Sequence, residues 1–350
     1  MTEMNVIEMD GRGAAEVMRL ARRPVPEPGP REVLIRTRAI GVNRVDILQR
    51  IGQYTPPYGI TDVPGVELSG DVASLGEGVT GLAIGDAVCG LIVGGAYAEY
   101  CAVPQTQVLR LPKGYDYVHG AALPEVHFTV WTALMQHGRY KSGESLLVHG
   151  GSSGIGTTAI MLARALGDGD IYATAGNDEK CQACEDLGAT RCVNYKTEDF
   201  GKAIRDLRGN AGLDVILDMV VGPYVPKNQL LLAPEGRLVF IGLMSNQREV
   251  QINVSAVMLK RQVITGVSLR GQSIAQKAAI RDEMEKVVWP LLDQGKMRPV
   301  IDSVYPMAEA VVAHKRLESS QHIGQIVLTV DDESGDRKAR ERLSDMSVIG

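Results

Sequence analysis

Residues 149–156 read HGGSSGIG, and no other stretch of the chain limits its architecture as tightly. The run follows SLLVHG (145–150), a short strand-like stretch of buried type, and opens IGTTAIMLARALG, an amphipathic helical stretch ending at Gly167. Small residues between a strand and a helix let the backbone turn tightly, approach a diphosphate closely and pack helix on strand. The N–H groups of the helix start then face the anion. Gly151, Gly154 and Gly156 fill those positions, Ser153 stands where the commoner pattern has its second glycine, and Ile155 separates the last two glycines. With a strand before it and a helix after it, the run is a dinucleotide-binding turn.

Its surroundings extend the pattern. IYATAG, CVNY, DVILDMV, RLVFIGLM and ITGVSLR alternate with helical stretches such as DEKCQACEDLG and KAIRDL. Strands alternating with helices imply βαβ units and a parallel sheet. Upstream, residues 4–127 are rich in short Val, Ile, Leu and Tyr runs bounded by Gly, Pro and Asp, which describes a β-rich domain. One helical stretch interrupts it where Val45, Leu48 and Ile51 recur at a three-residue step. A helix TVWTALMQHG, closed by Gly138, is expected to start the second domain. After DEMEKVVWPLLDQG the chain again has strand, helix and strand character and is expected to return to the first domain. The expected division of this α/β chain is therefore 1–127 with 297–330, a nucleotide-binding domain 128–296, and a charged tail 331–350 that is mobile or a frayed helix.

A chain of 350 residues accommodates two such domains, and its other properties exclude several classes of function. Thirty-seven Lys and Arg against 42 Asp and Glu, both signs dispersed, leave no footprint for a nucleic-acid backbone. No uncharged apolar run approaches the ~18 to 20 residues of a membrane-crossing helix. The start MTEMNVIEMDGRG lacks the basic, then apolar, character of a secretory signal. Five cysteines form no disulfide framework, so a cytoplasmic protein is expected. Cys181-x-x-Cys184 and Cys192 are ordinary helix and strand cysteines in this reading, and none of the six dispersed histidines is assigned to catalysis, although His127 enters the region of the cleft.

NAD and NADP are distinguished at the end of the second strand, where a carboxylate would bind the ribose 2′-hydroxyl. That place reads Ala175, Gly176, Asn177, and Lys180 follows one turn into the next helix, within reach of a 2′-phosphate. Asp178 and Glu179 suit the first turn of any helix. The expected cofactor is NADPH. A short-chain dehydrogenase is excluded, because no tyrosine after the turn has a lysine four positions on and the turn lies far from the N-terminus.

Together with the turn, GVNRVDILQRIGQY (41–54), PGVELSGDV (64–72), GDAVCGL (85–91) and ALPEVHFTVWTAL (122–134) resemble the medium-chain dehydrogenase/reductase superfamily over nearly the whole chain. GQYTPP, NYKTEDF and HIGQIVL resemble its zinc-free quinone oxidoreductase branch, of the zeta-crystallin-like and stress-inducible type. The resemblance implies a GroES-like catalytic domain plus a doubly wound Rossmann domain, and NADPH-dependent reduction of quinones or related conjugated carbonyls by metal-free hydride transfer. It places Asn43 beside the nicotinamide and substrate, with its amide donating to an oxyanion or holding the carboxamide, and Tyr54 at the pocket mouth. For the cofactor it implies Thr129 at a helix start, Ser153 to Gly156 on the diphosphate, Gly176, Lys180 and Tyr195 at the 2′-phosphate end, and Gly242, Leu243, Met244, Ser268, Leu269 and Arg270 on the nicotinamide side. Core packing is the rival role for Leu243, Met244 and Leu269.

Zinc-dependent relatives place ligands where this chain has Asn43, Val66 and Glu125, a set that does not make a catalytic zinc site, and a structural-zinc lobe would need four close cysteines where the first domain has Cys89 and Cys101. No metal is expected. A homodimer paired through the apolar strand at 263–269 is implied as well. A 2-enoyl or alkenal reductase, and a non-catalytic NADPH-binding regulatory or structural protein, remain open as alternative functions.

Overall fold

The computed structural model describes residues 2–57 and 59–330; the tail 331–350 lies outside the described residues. The N-terminal part is built from strands β1 (Glu3–Met9), β2 (Met18–Pro24), β3 (Glu32–Val42), β4 (Glu67–Leu75), β5 (Ala87–Leu91), β6 (Tyr100–Pro104) and β7 (Val108–Arg110), with short helices α1 (Arg44–Arg50) and α2 (Tyr117–Ala121). β1 and β2 pair in a two-stranded antiparallel ribbon. Val6, Ile35, Ile40, Leu68, Val88 and Tyr97 are among the side chains closing the core of this part.

Helix α3 (Pro124–Val130) continues without a break into a π-helical stretch, Trp131–His137. The helix therefore starts before Thr129, where the sequence places its beginning: Pro124 takes the first helical position, where its missing N–H costs nothing. The rod carries the chain from the first sheet to the second.

The second sheet contains β8 (Leu146–His149), β9 (Ile171–Ala175), β10 (Arg191–Asn194), β11 (Leu213–Asp218), β12 (Leu232–Phe240) and β13 (Val263–Gly266). All neighbours are parallel, in the order β10-β9-β8-β11-β12-β13. Helices α4 (Gly154–Leu166), α5 (Asp178–Asp186), α6 (Phe200–Arg208), α7 (Tyr224–Leu231), α8 (Val254–Lys260) and α9 (Ile274–Asp293) connect or follow these strands. Alternate strand residues serve opposite faces: Leu146, Val148, Val215 and Leu217 enter one apolar cluster, while Leu147 and Ile216 enter another. In chain order the strands run 3-2-1-4-5-6, so the direction of winding reverses between β8 and β11, and ligands of such sheets bind at the carboxyl ends there.

The chain then adds β14 (Ile301–Pro306), α10 (Ala310–Glu318) and β15 (Gln325–Thr329). β15 pairs antiparallel with β3, giving a seven-stranded sheet that contains β14, β15, β3, β4, β5 and β7, with β6 also on β3. The two halves are tied where Trp289 of α9 donates its indole N–H to the Arg110 carbonyl at 2.8 Å. Just before β15, the Gly324 N–H donates to the Ser152 carbonyl at 2.8 Å, so the returning segment braces the nucleotide turn itself.

Candidate active site

At the end of β8 the backbone enters the turn through Gly150, with φ +69°, a conformation that favours glycine. A Cβ on Gly156 would lie 2.3 Å from the Gly150 carbonyl oxygen and 2.6 Å from the Gly151 Cα, so helix α4 can start this close to the strand only with glycine there. Gly151 meets Ala173 Cβ and Cys184 Sγ in the same way, at 2.7 and 2.9 Å. Ser153 is the N-cap of α4: its Oγ accepts from the Gly156 N–H at 3.0 Å and donates to the Gly150 carbonyl at 2.8 Å. Its hydroxyl is thus committed to shaping the turn. The N–H groups that open α4, those of Gly154 and Ile155, have no carbonyl within the helix to receive them. Tight glycines, an anchored cap and open helix N–H groups at the switch point fit the diphosphate of a dinucleotide. Met219, just after β11, links this turn to the next strand: its side chain lies against Gly150, and its carbonyl oxygen is 3.4 Å from a Cβ placed on Gly242.

At the far end of β9 and β10, the Tyr195 hydroxyl lies 2.8 Å from a Cβ placed on Gly176, and Lys196 Cε lies 3.7 Å from it. Tyr195 and Lys196 also line a cavity of about 350 Å³ with Phe200, Tyr224 and Lys227. Lys180 is buried, and its Nζ donates to the Ser320 carbonyl at 2.6 Å instead of standing in solvent. Burial, and after it the neighbouring Arg316, lower its ammonium pKa, with Lys196 adding to the effect. Arg316 is itself paired with Asp302 at 2.9 Å, so the cationic character of this corner rests on Lys180 and Lys196; sequence reading identified only the first. Lys196 could have been found from its place directly after Tyr195. Asp178 is occupied as the acceptor of the Asn194 amide, at 2.7 Å.

The first domain supplies the opposite wall. Asn43, at the start of α1, is 7% exposed, and its Nδ2 donates to Glu67 Oε1 at 2.7 Å and, at 3.4 Å, to the Gly41 carbonyl. The Glu67 carboxyl thus anchors the side chain at the start of α1; an amide nitrogen carries two N–H groups, so both roles expected for Asn43, donating to an oxyanion and holding a carboxamide, are compatible with this anchor. Glu67 is fully buried, and its second oxygen accepts from the Glu125 N–H at 2.8 Å; burial, then the Glu125 charge, raise its pKa well above the ordinary value. A side chain on Gly41 would collide with this carboxyl, which explains the glycine there. Thr129 lies in the last turn of α3, not at a helix start, and its hydroxyl donates to Glu125 Oε1 at 3.3 Å. Burial pushes the Glu125 carboxyl up to about 7 and the Asp46 carboxyl up to about 6, against the opposing effect of Arg270 on both.

Tyr54 and Arg270 meet face to face, with the guanidinium carbon 4.1 Å from the ring centroid. Neither the Tyr54 hydroxyl nor Arg270 Nη1 and Nη2 has a hydrogen-bond partner among the described residues, although all three atoms are buried. Leu243 and Met244 are 39% and 51% exposed, so core packing does not account for them. Ser268 is exposed beyond β13, and Leu269 packs partly against the core. His127 is buried, paired through Nδ1 with the Leu123 carbonyl at 2.8 Å, and burial lowers its pKa to about 4; it is a neutral, structural imidazole. The five cysteines are free thiols, all buried. Among the described residues, no group of three or more His, Cys, Asp and Glu side chains is arranged to hold a metal ion, and none of the helices is long and apolar enough to cross a membrane.

Comparison with known proteins agrees with this architecture. The alcohol dehydrogenase GroES-like domain family matches residues 29–113, and the zinc-binding dehydrogenase family matches residues 154–289. The quinone oxidoreductase of Rattus norvegicus is 32% identical over 331 residues, covering 93% of this chain and 97% of the relative. Among solved structures, the quinone oxidoreductase of Coxiella burnetii superposes with a TM-score of 0.77 at 26% identity, covering 94% of this chain and 100% of that one. A mycobacterial protein solved as a complex with NADPH superposes with a TM-score of 0.82 at 27% identity, covering 93% and 100%. With its GroES-like domain, its NAD(P)-binding Rossmann domain and this degree of likeness, the chain belongs to the quinone oxidoreductase branch of the medium-chain dehydrogenase/reductase superfamily of oxidoreductases.

Proposed function

We propose that the protein uses NADPH to reduce quinones or related conjugated carbonyls without a metal ion. The observation that carries this reading is the side-chain set itself: an amide anchored on Glu67, an isopropyl group at Val66, and a phenol and a guanidinium in mutual contact that have no hydrogen-bond partner among the described residues. That set suits an uncharged, oxygen-bearing acceptor better than a zinc ion, which requires at least three N, S or O ligands around an open position. When bound, the reduced nicotinamide supplies the hydride. The chain's own work is positional: Gly154 and Ile155 hold the diphosphate, the Asn43 amide holds the carboxamide, and Tyr54 presents its hydroxyl to the acceptor. Lys196 beside Gly176 and Tyr195, with Lys180 in the first turn of α5, favours a 2′-phosphate, hence NADPH over NADH. The same reading makes the enzyme a cytosolic homodimer joined along β13.

The test is NADPH oxidation against an ortho-quinone and an enoyl thioester, with NADH as control and with Lys180→Ala and Lys196→Ala. Faster turnover of the quinone, a preference for NADPH, and weakened NADPH affinity in the variants are expected. Preference for the thioester would support the enoyl reductase, NADPH binding without turnover would support a non-catalytic role, and equal use of NADH with unaffected variants would overturn the cofactor choice.

A further inference from the structure

Three polar donors, the Tyr54 hydroxyl and the two terminal nitrogens of Arg270, are buried without a partner among the described residues, and they belong to side chains in contact with each other. Withdrawing guanidinium N–H groups from water without an acceptor is costly, so a pair of them held in one place is a seat for something that accepts. Stacking on the Tyr54 ring fixes where the fork sits. The surrounding charges agree. Asp46 and Glu125 both feel Arg270, yet neither hydrogen-bonds to it, so its charge is balanced at a distance while its nitrogens stay open. Lys277 of α9 is 4% exposed and feels Arg270 as well, which adds a second buried cation to the same side.

Resting on the reductase reading above, we propose that Arg270, backed by Tyr54, receives the acceptor's oxygen and stabilises the negative charge that develops on it, so that Arg270 serves the acceptor and not the nucleotide. The balance is simple. NADPH delivers a hydride to the quinone, the hydroquinone anion so formed takes one proton from bulk solvent as it leaves, and the products are hydroquinone and NADP+. Preorganised donors aimed at a developing oxyanion in a site closed to water act strongly, and losing one costs on the order of 100-fold in turnover.

The experiment compares the wild type with Arg270→Met and Arg270→Lys. It measures kcat and KM for a quinone, NADPH affinity by fluorescence titration, and the binding of 4-nitrophenolate, followed by its absorbance, to the protein loaded with NADP. Arg270→Met is expected to lower turnover by about 100-fold and to abolish phenolate binding while NADPH affinity is kept. Arg270→Lys should fall between, because an ammonium restores charge without the fork. If NADPH affinity falls in step with turnover, or if turnover and phenolate binding survive in both variants, the assignment is wrong. If the wild type binds phenolate through Arg270 but oxidises no NADPH with any quinone, the reductase reading falls and the oxygen seat stands. If the methionine variant does not fold, the lysine variant decides by the same two readouts.

Discussion

Gly154 and Gly156 stand two residues apart in one turn and differ sharply in what a methyl group would meet. At Gly156 it meets backbone, the Gly150 carbonyl at 2.3 Å, which cannot yield without opening the turn. At Gly154 it meets the end of the Gln325 side chain at 2.3 Å, which can swing aside. Gly156→Ala should therefore abolish NADPH binding in a fluorescence titration, and Gly154→Ala should retain it; equal loss in both would mean that the diphosphate itself needs the space at Gly154. Sequence pattern treats these glycines alike. It also finds Asn43 but not its anchor, since Glu67 lies 24 positions away and reaches it only through sheet pairing.

Glu125 shows the same dependence on surroundings. Its carboxyl is raised from the ordinary 4.5 to about 7, burial being the largest cause. A raised carboxyl favours the fold while it is protonated: the contribution is complete below the unfolded value and is lost as pH rises through the folded one. The melting temperature of the wild type should thus decline between pH 4.5 and about 7 more steeply than that of Glu125→Gln. Parallel curves would show that this carboxyl ionises freely in the folded protein.

Between elements, the least visible feature in the sequence is the strap at the carboxyl ends of β8, β9 and β11. His149 Nε2 donates to Asn228 Oδ1 at 2.8 Å, its Nδ1 is 3.0 Å from the Thr174 hydroxyl, and Asn228 Nδ2 donates to Asp218 at 3.0 Å. The ring packs against both Phe200 and Tyr224, each with its centroid 4.8 Å away, and those two rings are 4.7 Å from each other. The other Asp218 oxygen accepts from the N–H groups of Val220 and Val221, and Val221 has φ 63°, rarely adopted by a β-branched residue. The strap thus fixes the loop that faces the nucleotide turn. Asn228→Ala leaves two buried polar groups unpaired, so it should destabilise the protein by roughly 2 to 5 kcal/mol in denaturant unfolding and weaken NADPH binding. A loss below ~1 kcal/mol would show that water replaces the amide. His149 opens the HGGSSGIG motif, yet its two hydrogen-bond partners come from α7 and β9, so local reading could not assign it. The same limit explains α3: the start at Pro124 reads as a helix signal only once the chain is known to leave the first sheet there.

For the molecule as a whole, the order of events along the chain was legible because apolar alternation and turn residues are local: a β-rich part, six strands alternating with helices, and one dinucleotide turn. The strand order was not, because it rests on pairings between distant segments, above all β15 with β3 and Gly324 with Ser152. Both bring the C-terminal stretch into the site, where Ser320 receives Lys180. β13 is one of the two edges of the Rossmann sheet, the other being β10, and α8 before it exposes Val254, Met258 and Leu259 at 59%, 73% and 80%. An unpaired edge beside an apolar helix is a liability unless it is covered, which supports the proposed dimer. Equilibrium sedimentation should give the mass of two chains, and Leu259→Glu with Met258→Glu should give the mass of one; a wild-type monomer would contradict the pairing.

Hydride transfer without a metal is tested most directly by single-turnover stopped flow of chelator-dialysed protein, mixing a quinone with NADPH carrying hydrogen or deuterium at the transferred position. The rate should be slowed by deuterium and unchanged by the chelator. Activity that disappears on chelation and returns with zinc would contradict it.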